Sequence, residues 1–161
     1  MATVEPAESR FAAHKSLYAI DPITGEASKL TASTGWSVSN DATLLSILIL
    51  EHAHDRPGML WVWAQISPPK TNVPASMPNL VLSVPPAGRA RANATQLVGS
   101  SLDDPTADIA RRLSARFKRP VFVSLNAGTR RQAQGMMAVA AEQMDELMTT
   151  ERCIVAELIK I

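Results

Sequence analysis

The chain has 161 residues, a formal net charge of +1, 46% hydrophobic and 19% charged residues, and a single cysteine, Cys153. That length fits one domain able to bury a core of its own, and the near-zero charge gives no global basic field to recruit nucleic acid or an anionic membrane. One cysteine excludes an internal disulfide and a thiolate zinc cluster, and no apolar run approaches the roughly 20 residues of a membrane span.

The start, MATVEPAESRFAAHK, is polar and Ala-rich and carries Glu5 and Glu8. It reads as a flexible tail over residues 1–14 rather than a targeting segment, followed by a single domain over 15–161. The expected location is the cytoplasm or the nucleus, a reducing compartment suited to a lone thiol. From Ser16, SLYAI has the composition of a short strand, and DPITGE supplies the Pro and Gly of a turn. The Ser- and Thr-rich stretch ASKLTASTGWSVSN has no assignable period. The aliphatic run from Leu44 to Leu50 predicts a strand inside the sheet and covered on both faces. After DRPG, the segment MLWVWAQI alternates, with Met59, Trp61 and Trp63 on one face and Leu60, Val62 and Ile66 on the other, so the two runs make a hairpin.

Four prolines in SPPKTNVPASMP exclude a ladder and predict a surface loop. NLVLSV and ATQLVG are two further strands. The period then changes: Leu102, Ile109, Leu113 and Phe117 recur at helical spacing behind the candidate caps Ser101, Asp104 and Thr106. Arg116, Lys118 and Arg119 suit the negative C-terminal end of that helix, and Pro120 stops it. Arg112 and Arg116, four residues apart, are expected to share an exposed side whose charges contribute little to stability. PVFVSLNAG is a buried strand. A last, long helix begins after Arg130, with Met136, Val139, Ala140, Met144, Leu147 and Met148 as its core stripe and Val155, Leu158 and Ile159 continuing it. Strands, a helix, a strand and a helix in this order make an α+β domain whose hairpins favour a mainly antiparallel sheet.

Chemistry is sparse. His52, His54 and Asp55 cluster at the end of a strand and the following turn, where two imidazoles two residues apart share a face. A small metal-dependent hydrolase would use these three. A zinc site needs three or four ordered ligands, however, and His14, the remaining histidine, falls in the tail, so the favoured reading is a polar hairpin turn. No nucleophile elbow or phosphate-binding loop occurs, and Cys153 within a helical pattern reads as a small packed residue. No cofactor is expected. The cations Arg111, Arg112, Arg116, Lys118 and Arg119 are either the solvated end of a helix or a contact for an acidic partner. The absence of visible catalytic machinery shifts weight from enzymes to binding modules, among them a longin- or roadblock-like adaptor for small GTPases.

The stretch SSLDDPTADIARRLSARFKRPVFVSLN, with GMLWVWAQI, NLVLSV and ATQLVG before it, resembles the proteasome assembly chaperone family, its fourth member of the fungal type. The family pattern is a strand ending in Trp-Val, a second strand, a Ser/Thr-Leu-x-Gly stretch, a helix of the form Leu-Ala-x-Arg-Leu and a strand Val-Phe-Val-Ser-x-Asn. It is matched here by Trp61 and Val62, by Gln96, Leu97 and Gly99, by Ile109 to Leu113, and by Val121 to Ser124 with Asn126, in order over residues 59–148. Departures are the longer N-terminal region, the Pro-rich loop at 67–78, the added C-terminal tail, and Pro120 where the family tends to be polar. The resemblance implies an antiparallel sheet of about six strands with two main helices packed on it. It also implies a non-catalytic chaperone that forms a heterodimer with a proteasome assembly chaperone 3-like subunit and helps order the proteasome α subunits into the ring of the 20S core particle. The five cations are candidate partner-binding residues within that reading.

Overall fold

The computed structural model describes residues 11–21, 23–31, 42–52, 58–67, 77–88, 91–99, 105–127 and 136–161. Its elements are β1 (Phe11–Ile20), β2 (Ala27–Lys29), β3 (Thr43–His52), β4 (Leu60–Ser67), β5 (Leu80–Val84), β6 (Asn93–Val98), α1 (Thr106–Phe117), β7 (Val121–Ala127) and α2 (Met136–Leu158). The strands form one seven-stranded sheet in the order β2-β1-β3-β4-β7-β5-β6. Every neighbouring pair is antiparallel except β4 and β7, which run parallel. A parallel pair needs a long crossover, and β5, β6 and α1 lie between β4 and β7 in the chain.

Two strand readings change. β1 starts at Phe11 and pairs residue by residue with β3 up to His52, so residues 11–14, His14 included, belong to the sheet rather than to a tail. The polar start of β1 conceals this, because its order comes from the ten-residue β3 ladder beside it. β2 is the seventh strand, three residues inside the stretch that had no period. The turn before it is as expected: the Asp21 carboxylate accepts the amides of Ile23 at 2.8 Å and Thr24 at 2.9 Å, and Gly25 takes a φ of 68°.

Both helices lie on one face of the sheet. Ile109, Ala110 and Leu113 of α1 and Cys153, Ile154 and Leu158 of α2 share a single buried cluster with Ile47, Ile49, Val62, Val81, Val121 and Val123 of the strands. Ile109 and Leu113 of the expected stripe face the sheet, with Phe117 at the rim, while Leu102 lies outside the described residues. Thr106 does not cap that helix; it is wholly buried in the first turn, where its hydroxyl accepts a 2.9 Å hydrogen bond from the Asn79 side-chain amide. The Asn79 carbonyl oxygen accepts the Leu125 amide at 3.0 Å, so one buried asparagine ties the start of β5 to α1 and β7. Ser101 and Asp104 lie outside the described residues. At the far end Lys118 adopts a left-handed conformation (φ 55°), the Ser114 hydroxyl donates to the Arg119 carbonyl at 2.9 Å, and Pro120 leads into β7.

α2 keeps part of the expected stripe, with Leu158 buried and Leu147 and Val155 packed against the core, but its described methionines turn outward, and the side chains of Met136, Val139 and Ala140 lie outside the described residues. Thr150, Cys153, Ile154, Glu157 and Leu158 are buried, whereas Met144 and Met148 are 59% and 47% exposed and Ile159 is 63% exposed. Polar Thr150 and Glu157 occupy the inward side because each has a partner there: the Thr150 hydroxyl donates to the Glu146 carbonyl at 2.8 Å, and Glu157 anchors an ion cluster. Hydropathy alone rotates the helix toward the methionines. No helix among the described residues is long and apolar enough to cross a membrane.

Candidate protein-binding surfaces

Because strand side chains alternate, the core draws mainly on alternate residues of each strand, and the others lie on the face away from α1 and α2, where Gln65 and Ser124 are nonetheless buried. β3 shows the division, with Leu45, Ile47 and Ile49 buried and Leu44, Leu48 and Leu50 only partly so. The register aligns Leu50, Trp61, Phe122 and Leu82 in one row across β3, β4, β7 and β5. Leu48 and Trp63 stand in the next row, beside Lys15 of β1. Trp61 and Phe122 stack with ring centroids 5.1 Å apart and planes 16° from parallel. Among the described residues no element packs over these rows. The expectation that β3 is covered on both faces is met on the helix side; on the other face Leu44, Leu48 and Leu50 are half-buried without a covering element among the described residues. Beyond the aromatic rows the face turns polar, through Ser46, Gln65 and Asn126.

The five cations do not form one open patch. Arg112 makes a two-pronged contact with Glu151 of α2 at 2.7 and 2.6 Å, Arg111 pairs with Asp108 at 2.5 Å, and Arg119 folds back onto Glu51 at the end of β3. Arg116 lies over the Phe117 ring, 5.9 Å from its centroid, and Lys118 caps α1. All belong to the helix side, away from the aromatic rows. Arg112 thus has a structural role that its exposure conceals: it joins the two helices. Replacing it by Glu is expected to place two carboxylates together and to cost about 1 kcal/mol, and pairing Arg112→Glu with Glu151→Arg should recover most of the loss in a denaturation series.

His52 ends β3, and its amide donates to the Met59 carbonyl at 3.3 Å, closing the hairpin toward β4. Gly58 fits there because a Cβ would stand 2.0 Å from the His52 carbonyl oxygen. His54 and Asp55 lie outside the described residues, and among those described no three His, Cys, Asp or Glu side chains are placed to share a metal ion. Cys153 is buried, and its thiol pKa is pushed up by that burial and by the Glu157 charge, which keeps it protonated.

Glu157 is the most perturbed acid. It is 7% exposed and accepts hydrogen bonds from Lys29 at 2.8 and 3.0 Å, from Lys160 at 2.9 Å and from the Tyr18 hydroxyl, tying the end of α2 to β1 and β2. Burial alone would raise its pKa, but the hydrogen bonds from Lys160, Lys29, Tyr18 and Ser16 outweigh it and hold the carboxyl well below the usual range. Burial and the same contact push the Tyr18 phenol up. A depressed carboxylate stabilises the fold above the pKa of its unfolded form, about 4.3, and that contribution is lost as pH falls below it. Glu157→Gln is expected to cost about 1 to 3 kcal/mol at neutral pH, and the gap to wild type should close in melts taken at progressively lower pH below that value.

An α+β sheet with helices on one face and, among the described residues, half-buried aromatic rows without a covering element on the other has a form suited to binding another protein. Residues 48–127, about half of the chain, match the family described as proteasome assembly chaperone 4, and the chain belongs to that family. The matched span runs from β3 through β7 and contains Leu48, Trp61, Trp63 and Phe122 of the open face. Gly99, one of the residues carrying the resemblance, takes a φ of 102°, which favours glycine at that position. No curated protein matches. A solved structure described as the crystal structure of a novel chaperone complex for yeast 20S proteasome assembly has a chain 15% identical to this one, with 92% of this chain and 95% of that chain covered at a TM-score of 0.48.

Proposed function

We propose that this chain is a non-catalytic proteasome assembly chaperone that pairs through its open sheet face with a related small α+β subunit of the proteasome assembly chaperone 3 type. The pair helps order the α subunits of the 20S core particle into a ring, in the cytoplasm or nucleus, and leaves before the particle matures. The observation that carries the reading is the second face of the sheet: β3 and β4 carry apolar residues on both sides, and among the described residues the helices cover only one. A second sheet of similar size would bury Leu48, Leu50, Trp61 and Phe122 as a core does. The cations on the helix side stay accessible in such a pair and are the proposed contacts for acidic α-subunit surfaces.

The test is co-expression with the candidate partner, followed by sizing and by binding to purified α subunits. A one-to-one complex that captures α subunits is the expected result, and a stable monomer that ignores both partner and α subunits would sink the proposal. Metal analysis of the same sample is expected to find no stoichiometric ion. A bound ion lost together with an activity in His52→Ala, His54→Ala protein would return the hydrolase reading, and capture of small GTPases in place of α subunits would return the adaptor reading.

A further inference from the structure

On the helix side, at the end of the sheet marked by Ile20 and Thr43, a cleft of about 310 Å³ opens between the β1–β2 turn and α2. We infer that this cleft is a second docking site, which takes a protein segment carrying an apolar side chain flanked by Lys or Arg.

The turn is the first part of the argument. Ile23 is 92% exposed at its tip, yet the backbone beneath is fixed. Two amides bond to the Asp21 carboxylate, the Asp21 amide donates to Glu26 and the Gly25 amide to Asp21, both at 2.9 Å, and the Thr149 hydroxyl donates to the Gly25 carbonyl at 3.3 Å. An ordered turn that holds a bare isoleucine in water, when a polar residue would serve the same geometry, is placed to meet another surface. The second part is α2, where Met148 lines the cleft and Met144 stands one turn away on the same side, both exposed. Methionine adapts its shape to incoming apolar groups, so these two and Ile23 make a pliant apolar rim.

Charge selects the occupant. Among the described lining residues Asp21, Asp145 and Glu146 outnumber the cation Arg152, and the Thr24 and Ile23 amides hold the Asp21 carboxyl below its ordinary pKa and therefore charged. A cation beside an apolar anchor satisfies both features of the wall, whereas an acidic segment meets repulsion. The cleft lies on the opposite side of the sheet from the Trp61 face, so both surfaces can be filled at once and the chain can bridge two proteins.

The experiment uses the full chain with ¹³C-labelled Ile and Met methyl groups and two short synthetic peptides of identical apolar pattern, one flanked by Lys and one by Glu. No proteasome subunit is needed, so the outcome is independent of the proposed function. The Lys peptide is expected to shift the Ile23, Met144 and Met148 methyls saturably, with affinity falling as salt rises, and the Glu peptide to bind about tenfold more weakly or worse. Met148→Ser together with Asp145→Lys, both at exposed positions, should weaken the Lys peptide by a similar factor at an unchanged melting temperature. Equal binding of the two peptides, shifts confined to other methyls, or unchanged binding by the variant would each overturn the inference. So would the same methyls shifting on dilution without peptide, which would show that a second copy of the chain fills the cleft.

Discussion

Replacing Leu113 with alanine is expected to lower the free energy of unfolding by about 2 to 5 kcal/mol, among the largest losses for a single truncation in this chain. Leu113 is 1% exposed and sits on the inward side of α1, between Ile109 and the rim residue Phe117, against β5 and β7. The helix is held at its first turn by the Asn79–Thr106 contact, at its middle by the Arg112–Glu151 pair and just past its end by Arg119 on Glu51, so it cannot settle freely into the space left by the lost methyls. Denaturant titration measures the loss directly, and for a chain of this size each kcal/mol should also appear as about 2 to 4 °C in Tm. A cost below about 1 kcal/mol would mean that α1 is not packed on the sheet as described.

The elements that could be read from sequence are those whose own residues specify them. β3, β4, β5 and β7 announce themselves by apolar runs or alternation, and α1 by a clean stripe ended by Pro120. What could not be read depends on partners distant in the chain. β1 extends back to Phe11 because β3 offers ten residues of ladder, and nothing in FAAHK requires it. β2 consists of three residues paired to Tyr18, Ala19 and Ile20. α2 turns Glu157 inward because Lys29 and Tyr18, 128 and 139 residues earlier, supply its hydrogen bonds. The five cations were legible as a charged helix end, and Asp108, three residues before Arg111 on the same helix, is a local counterion, but Glu151 and Glu51 become counterions only when α2 and β3 are brought against α1. The second face is the informative case: the continuous aliphatic run in β3 predicts cover on both faces, and among the described residues the helices supply it on one. The acidic cleft has no local signature in the sequence because its lining comes from a turn and a helix more than a hundred residues apart.

Placing a charge on that open face should separate pairing from folding. Leu48→Asp, in the row with Trp63 and beside Lys15, alters a side chain that contributes to no helix–sheet contact among the described residues. The isolated variant is therefore expected to keep its fold and to be better behaved than the wild-type chain, whose half-buried aromatic rows are expected to favour self-association. In the pair, the same carboxylate would be buried between two sheets with little to compensate it, and a buried unpaired charge at an interface centre costs more than about 3 kcal/mol, a loss of more than about a hundredfold in affinity. Trp61→Ala should also weaken pairing severely, since it removes the largest side chain of the row and its stack on Phe122. Titration calorimetry with the partner, beside thermal melts of each variant and of Leu113→Ala, distinguishes the two kinds of damage. Leu113→Ala should lower Tm and leave partner affinity nearly unchanged, and Leu48→Asp should do the reverse. If Leu48→Asp pairs as tightly as wild type, the aromatic face is not the pairing surface and the partner must bind elsewhere on the chain.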